Sequence, residues 1–303
     1  MLAGAEMKTK RNYRLNKPYE AYLFLTPWII GFLCFTLVPM VLSLYFSFTK
    51  YDLFSTPKWI GIQNFLDMAK DPRVIKSLQV TGTYVALTVP FQVVFALLIA
   101  VVLKKNITGV RIYRAIYYLP SLFGGSVAIA ILWRQLFNKT GIINKMLAVF
   151  GITGINWIAT PSTALYTLIL LGVWQFGASM VIFLGGLKQI SQDYYEAAEI
   201  DGASKVKQFF HITLPLLTPM VFFSLVMTII NAFQSFTSAY IISGGTGSPI
   251  DSTLFYTLYL YIKGFQHFSM GYASAMAWGL LIVIGLITGV MFLVGRFWVY
   301  YDE

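Results

Sequence analysis

Charge is what this sequence has least of: only 11% of its 303 residues are Asp, Glu, Lys or Arg, against 57% hydrophobic residues and a mean hydropathy of +0.70. Soluble domains carry about 25% charged residues, so about half of the usual solvating side chains are missing and a soluble single domain is excluded. The same numbers exclude intrinsic disorder, which needs low hydrophobicity and high charge. Cysteine is nearly absent. The single Cys34 lies in an apolar run, so neither a disulfide framework nor a cysteine metal cluster can be built. A net charge of +10 on so few charges is read through the positive-inside rule as membrane orientation, not as a nucleic-acid surface.

What is present is long apolar runs. Six pass a spanning test of roughly 20 residues: 22–48, 78–103, 112–132, 164–187, 214–242 and 270–294. The first has no charged residue and exceeds the apolar core of a cleavable signal peptide, so it is expected to stay in the membrane. The chain therefore reads as an all-α polytopic membrane protein with six transmembrane helices. Its expected organisation is an N-terminal segment 1–21, a six-span domain 22–298 and a tail 299–303.

With both termini cytoplasmic, 13 of the 22 Lys and Arg fall inside and 9 outside. The inside set is concentrated beside span ends, at Lys8, Lys10, Arg11, Arg14 and Lys17 and at Lys104, Lys105, Arg111 and Arg114. Outside, Asp71-Pro72 reads as a helix N-cap followed by proline at the first helical position, leading into the second span. Pro27, Pro39, Pro90 and Pro120, with the pairs Gly124-Gly125 and Gly185-Gly186, punctuate the spans. Close helix packing and transport-related kinking are the two readings of that punctuation.

The spans also lack ionisable groups. No Asp, Glu, Lys or Arg sits in the central part of any span, and His211 and His267 fall at or beyond the boundaries. A proton-coupled carrier or a membrane enzyme needs such groups at membrane depth. No P-loop is present either: the glycine-rich stretch 243–249 has no following Lys. A potassium-type filter is missing as well. No catalytic residue, cofactor-binding residue or metal ligand is assigned to this chain, and any uphill transport must draw its energy from a partner.

One polar stretch, 188–213, interrupts the apolar pattern on the cytoplasmic side. Asp193 through Ala203 begins as a capping box, Asp193 with Glu196, and places Glu196 and Glu199 in the first helical turns, where the helix dipole favours them. Ala197 and Ala198 leave a low face, and Gly202 lets the helix end sharply. A second short helix is expected over 204–211. By itself this is either a solvated helical hairpin or a surface that enters a groove on another protein.

The spacing Glu196-Ala197-Ala198, then Gly202, Ile212 and Leu214-Pro215, matches without a gap the "EAA" loop of ABC importer permeases, and it stands before the penultimate span as in that family. Trp59 to Phe65, Tyr117 to Pro120, Ile182 to Leu187, Ser243 to Gly245 and Met270 to Ala275 also resemble sugar permeases. From about residue 20 to its end, the chain resembles the first permease subunit of bacterial carbohydrate importers of the maltose and glycerol-phosphate type, in the shorter six-span form. One departure is Ser191, where the family often has proline.

The resemblance implies the ABC type I importer permease fold in the bacterial cytoplasmic membrane. It implies a second permease, two ATP-binding subunits that hold ATP and Mg, and an extracytoplasmic solute-binding protein that delivers a sugar, expected to be an oligosaccharide. It assigns ATPase coupling to Glu196, Ala197, Ala198, Glu199, Asp201, Gly202, Ile212, Leu214 and Pro215. A permease for a glycerol phosphate ester or an amino acid, and a channel or carrier outside the ABC class, are the alternatives.

For the substrate path, the fifth span carries Thr228, Asn231, Gln234, Ser235 and Ser238 near spacings of three and four on an otherwise apolar helix. Polar groups at membrane depth must meet a partner helix, water or a ligand. Trp174 and Gln175 in the fourth span, and Tyr240 near the outer end, are expected to add ring stacking and amide hydrogen bonds. Interhelical hydrogen bonding is the competing reading.

Overall fold

The computed structural model describes residues 18–105 and 108–300, with side chains from Tyr22 onward. The basic residues from Lys8 to Lys17 and the tail from 301 lie outside the described residues. The first span runs through α1 (Pro18–Phe32), a π-helical turn (Leu33–Leu37) and α2 (Val38–Ser47). The wider turn directly precedes Pro39, whose ring and missing N–H do not fit a regular α-helical ladder. Its outward side chains are strongly exposed, Phe35 at 85%, as a helix facing hydrocarbon allows.

A two-stranded hairpin follows, β1 (Thr49–Lys50) with β2 (Lys58–Trp59), and then α3 (Gln63–Lys70). Asn64, buried within the Trp59 to Phe65 stretch, donates to the carbonyls of Ser47 (2.8 Å) and Thr49 (2.9 Å) and fastens α3 beneath the hairpin. The centre of the bundle is α4 (Pro72–Lys104), on the order of 50 Å long at 1.5 Å per residue. Asp71 caps it by accepting from the Arg73 amide at 2.9 Å, with Pro72 at the first helical position as expected. Ala96 and Ala100 of α4 are fully buried, so neighbouring backbones approach closely there.

The expected third span, 112–132, is not one helix. It is α5 (Val110–Phe123) and α6 (Val127–Leu136), bent by 101° at Gly124–Ser126, with Ser126 capping α6. The cause is backbone chemistry: Pro120 weakens the last turn and the glycine pair ends it. Among the described residues, five stretches are thus long and apolar enough to span, and six if this bent pair counts as one.

After α7 (Ile142–Val149), the fourth stretch is α8 (Pro161–Trp174) with α9 (Gly177–Gln189). α9 packs against α4 and, through glycine, against α5 and the start of the fifth span. A Cβ on Gly177 would stand 2.5 Å from the Tyr117 carbonyl oxygen, and one on Gly186 2.8 Å from Leu217 Cδ2. Gly185 faces open space.

α10 (Gln192–Ile200) leads to α11 (Lys205–Gln208), which flows through a π-helical turn (Phe209–Thr213) into α12 (Leu214–Phe233) and α13 (Thr237–Ser243). The expected second short helix is therefore the start of the fifth span. α14 (Tyr256–Tyr261) and α15 (Met270–Gly295) complete the chain. Gly271 of α15 lets that helix reach the hairpin, where a Cβ would lie 2.1 Å from the Thr49 carbonyl oxygen.

At this end of α4, Asp71 Oδ2 accepts from the Tyr259 hydroxyl (2.7 Å) and the Tyr272 hydroxyl (3.0 Å), with Lys263 Nζ at 3.5 Å. Arg73 donates twice to Asp251, at 2.7 and 3.0 Å. Burial raises the Asp71 carboxyl, but the Tyr259 bond, the Arg73 amide, the Tyr272 bond and the Lys263 charge outweigh it and hold it below its ordinary value.

Candidate functional site

Helices α4, α8, α9 and α12 surround a cavity of about 510 Å³, closed further by the α5–α6 break and the segment from Gln234 to Ser238. Six of the eight expected path residues line it: Gln175, Thr228, Asn231, Gln234, Ser235 and Ser238. Asn231 and Gln234 are exposed, so the cavity is open on the side they face.

Trp174 and Tyr240 are not in the lining. The Trp174 ring packs on Trp133 with centroids 5.7 Å apart, and Trp133 Nε1 donates to the Thr167 carbonyl. Tyr240 joins an aromatic group with Phe236 (5.4 Å) and Tyr261 (5.5 Å). Both rings stand outside the lining, next to Gln175 and Phe236, which belong to it.

The lining also holds residues that the sequence reading missed: Tyr84, Thr88 and Gln92 of α4, Ser121 of α5, Ser179 of α9 and Ser224 of α12. The signal was available, since Thr81, Tyr84, Thr88 and Gln92 fall at spacings of three and four. Gln92 donates to the Gln175 carbonyl at 3.1 Å, and Ser224 to Ser179 at 2.8 Å. The Gln175 side chain occupies the space beside Gly124, where a Cβ would lie 2.0 Å from its Cδ. The α5–α6 break thereby admits an amide to the cavity wall. No Asp, Glu, Lys, Arg or His is in the lining among the described residues. Its amides and hydroxyls can exchange hydrogen bonds with an uncharged polyol or amide surface, and they offer no group that takes up a proton at neutral pH.

At the other end of α4 and α12 stands the loop that carries the EAA spacing. Its helix begins two residues earlier than expected: Ser191, not Asp193, is the N-cap, accepting from the Asp193 amide at 3.3 Å and donating to the Asp193 carboxylate at 3.0 Å. The physical reason is that the Ser191 hydroxyl reaches the first free amide, which leaves Asp193 inside the first turn beside the helix dipole.

The far end of α10 closes as a Schellman motif. Gly202 is left-handed (φ +73°), its amide donates to Glu199 and the Ala203 amide to Ala198. Ser204 caps α11, and buried Gln208 donates to the Ala203 carbonyl at 3.2 Å. Glu199 pairs with Lys205, whose hydrogen bond and charge hold the Glu199 carboxyl below its ordinary value.

The motif residues divide into two groups. Glu196, Ala197, Glu199, Asp201 and Gly202 are exposed and Ala198 half-buried, on a protruding surface that also carries Ile200 at 87% exposure. Ile212, Leu214 and Pro215 are half-buried in the joint between the π-helical turn and α12. Pro215, at the start of α12, has no amide to give to that turn.

Apolar spans wrapped around an uncharged polar cavity, joined to a stiff loop projecting from one end, define a membrane transport subunit. The comparisons narrow that class. The chain belongs to the family described as binding-protein-dependent transport system inner membrane component, whose model matches residues 68–301. It is a multi-pass inner-membrane component with the ABC type I importer permease fold. It is 54% identical to the probable ABC transporter permease protein YesP of Bacillus subtilis (strain 168), over 99% of this chain and 98% of that protein. It is 31% identical to the arabinooligosaccharides transport system permease protein AraP of the same organism, over 93% and 90%. Its fold matches a chain of the bacterial alginate ABC transporter solved in complex with an alginate pentasaccharide-bound periplasmic protein, with a TM-score of 0.78 at 22% identity over 90% of this chain and 92% of that one.

Proposed function

We propose that this chain is one of two permease subunits of an ATP-driven importer, and that it passes a sugar, an oligosaccharide, received from an extracytoplasmic binding protein. The observation that carries the reading is the cavity, whose amides and hydroxyls suit a surface of sugar hydroxyls. Among the described residues no cation lines it to meet a phosphate ester. Near full-length similarity to AraP supports a saccharide cargo. The open side of the cavity is where the sister permease would face.

ATP and Mg belong to two ATPase subunits, one of which receives the surface formed by Glu196, Ala197, Ala198, Glu199, Asp201 and Gly202. Ile212, Leu214 and Pro215 would carry its motion into the span. Both termini and the 188–213 loop are cytoplasmic in this reading.

The first test is co-purification. The tagged chain, expressed with its neighbouring transport genes and solubilised in mild detergent, should bring down a sister permease and an ATPase. Recovery of the chain alone, or as a self-assembled channel, would remove the importer reading.

A further inference from the structure

The importer reading leaves open how a movement of the docking helix α10 reaches the cavity. Tyr195 is half-buried on the inner side of α10. Its hydroxyl lies 2.9 Å from the hydroxyl of buried Thr213, the last residue of the π-helical turn that feeds α12. Lys104, the last residue of α4, places Nζ 4.4 Å from the centre of the Tyr195 ring and 3.4 Å from its hydroxyl. Among the described residues, Tyr195 is the α10 side chain whose hydrogen bonds reach the bundle. The Ser191–Asp193 and Glu199–Lys205 bonds stay within the loop.

Tyr195 thus touches α4 and the turn that continues into α12, and both of these helices line the cavity. α4 contributes Tyr84, Thr88 and Gln92, and α12 contributes Thr228 and Asn231. From Lys104 to Gln92, and from Thr213 to Thr228, the path is uninterrupted helix, roughly 18 and 22 Å at 1.5 Å per residue. The π-helical turn beneath Thr213 is the kind of element that marks a hinge. We infer that Tyr195 is a positioning residue that ties the docking helix to the inner ends of α4 and α12, so that displacement of α10 is delivered to the two cavity walls together. This inference rests on the importer reading.

The test uses the complete complex in proteoliposomes, with ATP hydrolysis and sugar uptake measured on the same vesicles. Tyr195→Ala, which removes both contacts, should keep its ATPase subunits and lower uptake per ATP by about tenfold. Tyr195→Phe, which loses the hydroxyl contacts to Thr213 and Lys104 but keeps the ring under Lys104, and Thr213→Val, which loses only the bond to Tyr195, should each lower it by about threefold, and the double variant no further than Tyr195→Phe alone because the Tyr195–Thr213 bond is common to both.

Uptake per ATP within twofold of wild type for Tyr195→Ala would overturn the inference, as would a multiplicative double variant. Loss of the ATPase from Tyr195→Phe complexes would also overturn it, by moving the side chain into the docking contact. Wild-type vesicles run in parallel separate the two failures. If they show no ATP-dependent uptake, the importer reading falls and takes this inference with it.

Discussion

Gly202 offers a substitution whose cost can be worked out before the experiment. It is the left-handed residue of the Schellman motif that ends α10, at φ +73°, and a Cβ built there meets nothing within 4 Å. Steric crowding inside this chain therefore contributes nothing, and Gly202→Ala pays only the backbone penalty of an L-residue in that region, about 1–2 kcal/mol. Spread over the local opening of the loop, this is a drop of roughly 5- to 30-fold in hydrogen-exchange protection of the Gly202 and Ala203 amides, which donate to Glu199 and Ala198. Gly202→Asn, a residue that tolerates the left-handed region, should lose much less.

Exchange followed by mass spectrometry on the detergent-solubilised complex, over a peptide covering 196–208, reads the difference. Gly202→Asp is expected to keep the motif nearly as well as Asn, yet to uncouple ATP hydrolysis from uptake, because it adds bulk and charge on the exposed face proposed to meet the ATPase. Equal protection in the Ala and Asn variants would refute the backbone argument, and normal uptake by Gly202→Asp would refute the docking role.

Three further outcomes are expected. Gly177→Ala brings a methyl within 2.5 Å of the Tyr117 carbonyl oxygen and should cost about 1–3 kcal/mol, seen as a lower melting temperature in detergent, whereas Gly185→Ala, with open space around it, should melt like wild type. Asn231→Leu and Gln234→Leu, on the exposed side of the cavity, should lower sugar-stimulated uptake with the complex intact; loss of assembly would assign them to helix packing instead. Asp71→Asn should weaken the tie between α4, Tyr259, Tyr272 and Lys263 by about 1–3 kcal/mol at neutral pH. Because the folded Asp71 carboxyl is held below its ordinary 3.8, its contribution is full above that value and fades as pH falls through the lower folded one. Acid titration of melting temperature should therefore narrow the gap between wild type and Asp71→Asn below about pH 4.

The elements most legible in the sequence are those written in side-chain polarity. The spans stand out as apolar runs, and the cap at Asp71-Pro72 is a local pattern that the Arg73 amide completes. The loop around Glu196 to Gly202 was legible because its spacing is specific, and its end at Gly202 follows from glycine's freedom at positive φ. Hydropathy does not register backbone geometry, so the 101° break at Gly124–Ser126 passed as one span.

The cavity was half legible. The polar line from Thr228 to Ser238 announced one wall, while Tyr84, Thr88 and Gln92 are spread one per turn along a 33-residue apolar helix and only become a wall when α4 meets α8 and α12. Trp174 and Tyr240 stand out in the sequence for their ring chemistry, but the Trp174 ring, still exposed, packs on Trp133 and the half-buried Tyr240 ring packs on Phe236 and Tyr261, and such ring contacts compete with offering a face to a ligand. Tyr195 was invisible, because nothing in a Tyr-Tyr pair tells which ring turns toward Thr213.

The central claim is that the cavity passes a sugar at the expense of ATP hydrolysed by a partner. Its most direct test is uptake of a labelled oligosaccharide, beginning with arabino-oligosaccharides, into proteoliposomes holding both permeases and the ATPases, with the binding protein and the sugar on the extracytoplasmic side. The account predicts accumulation that requires ATP on the opposite side and the binding protein, and that falls in Asn231→Leu. Uptake indifferent to ATP, or equal in that variant, would contradict it.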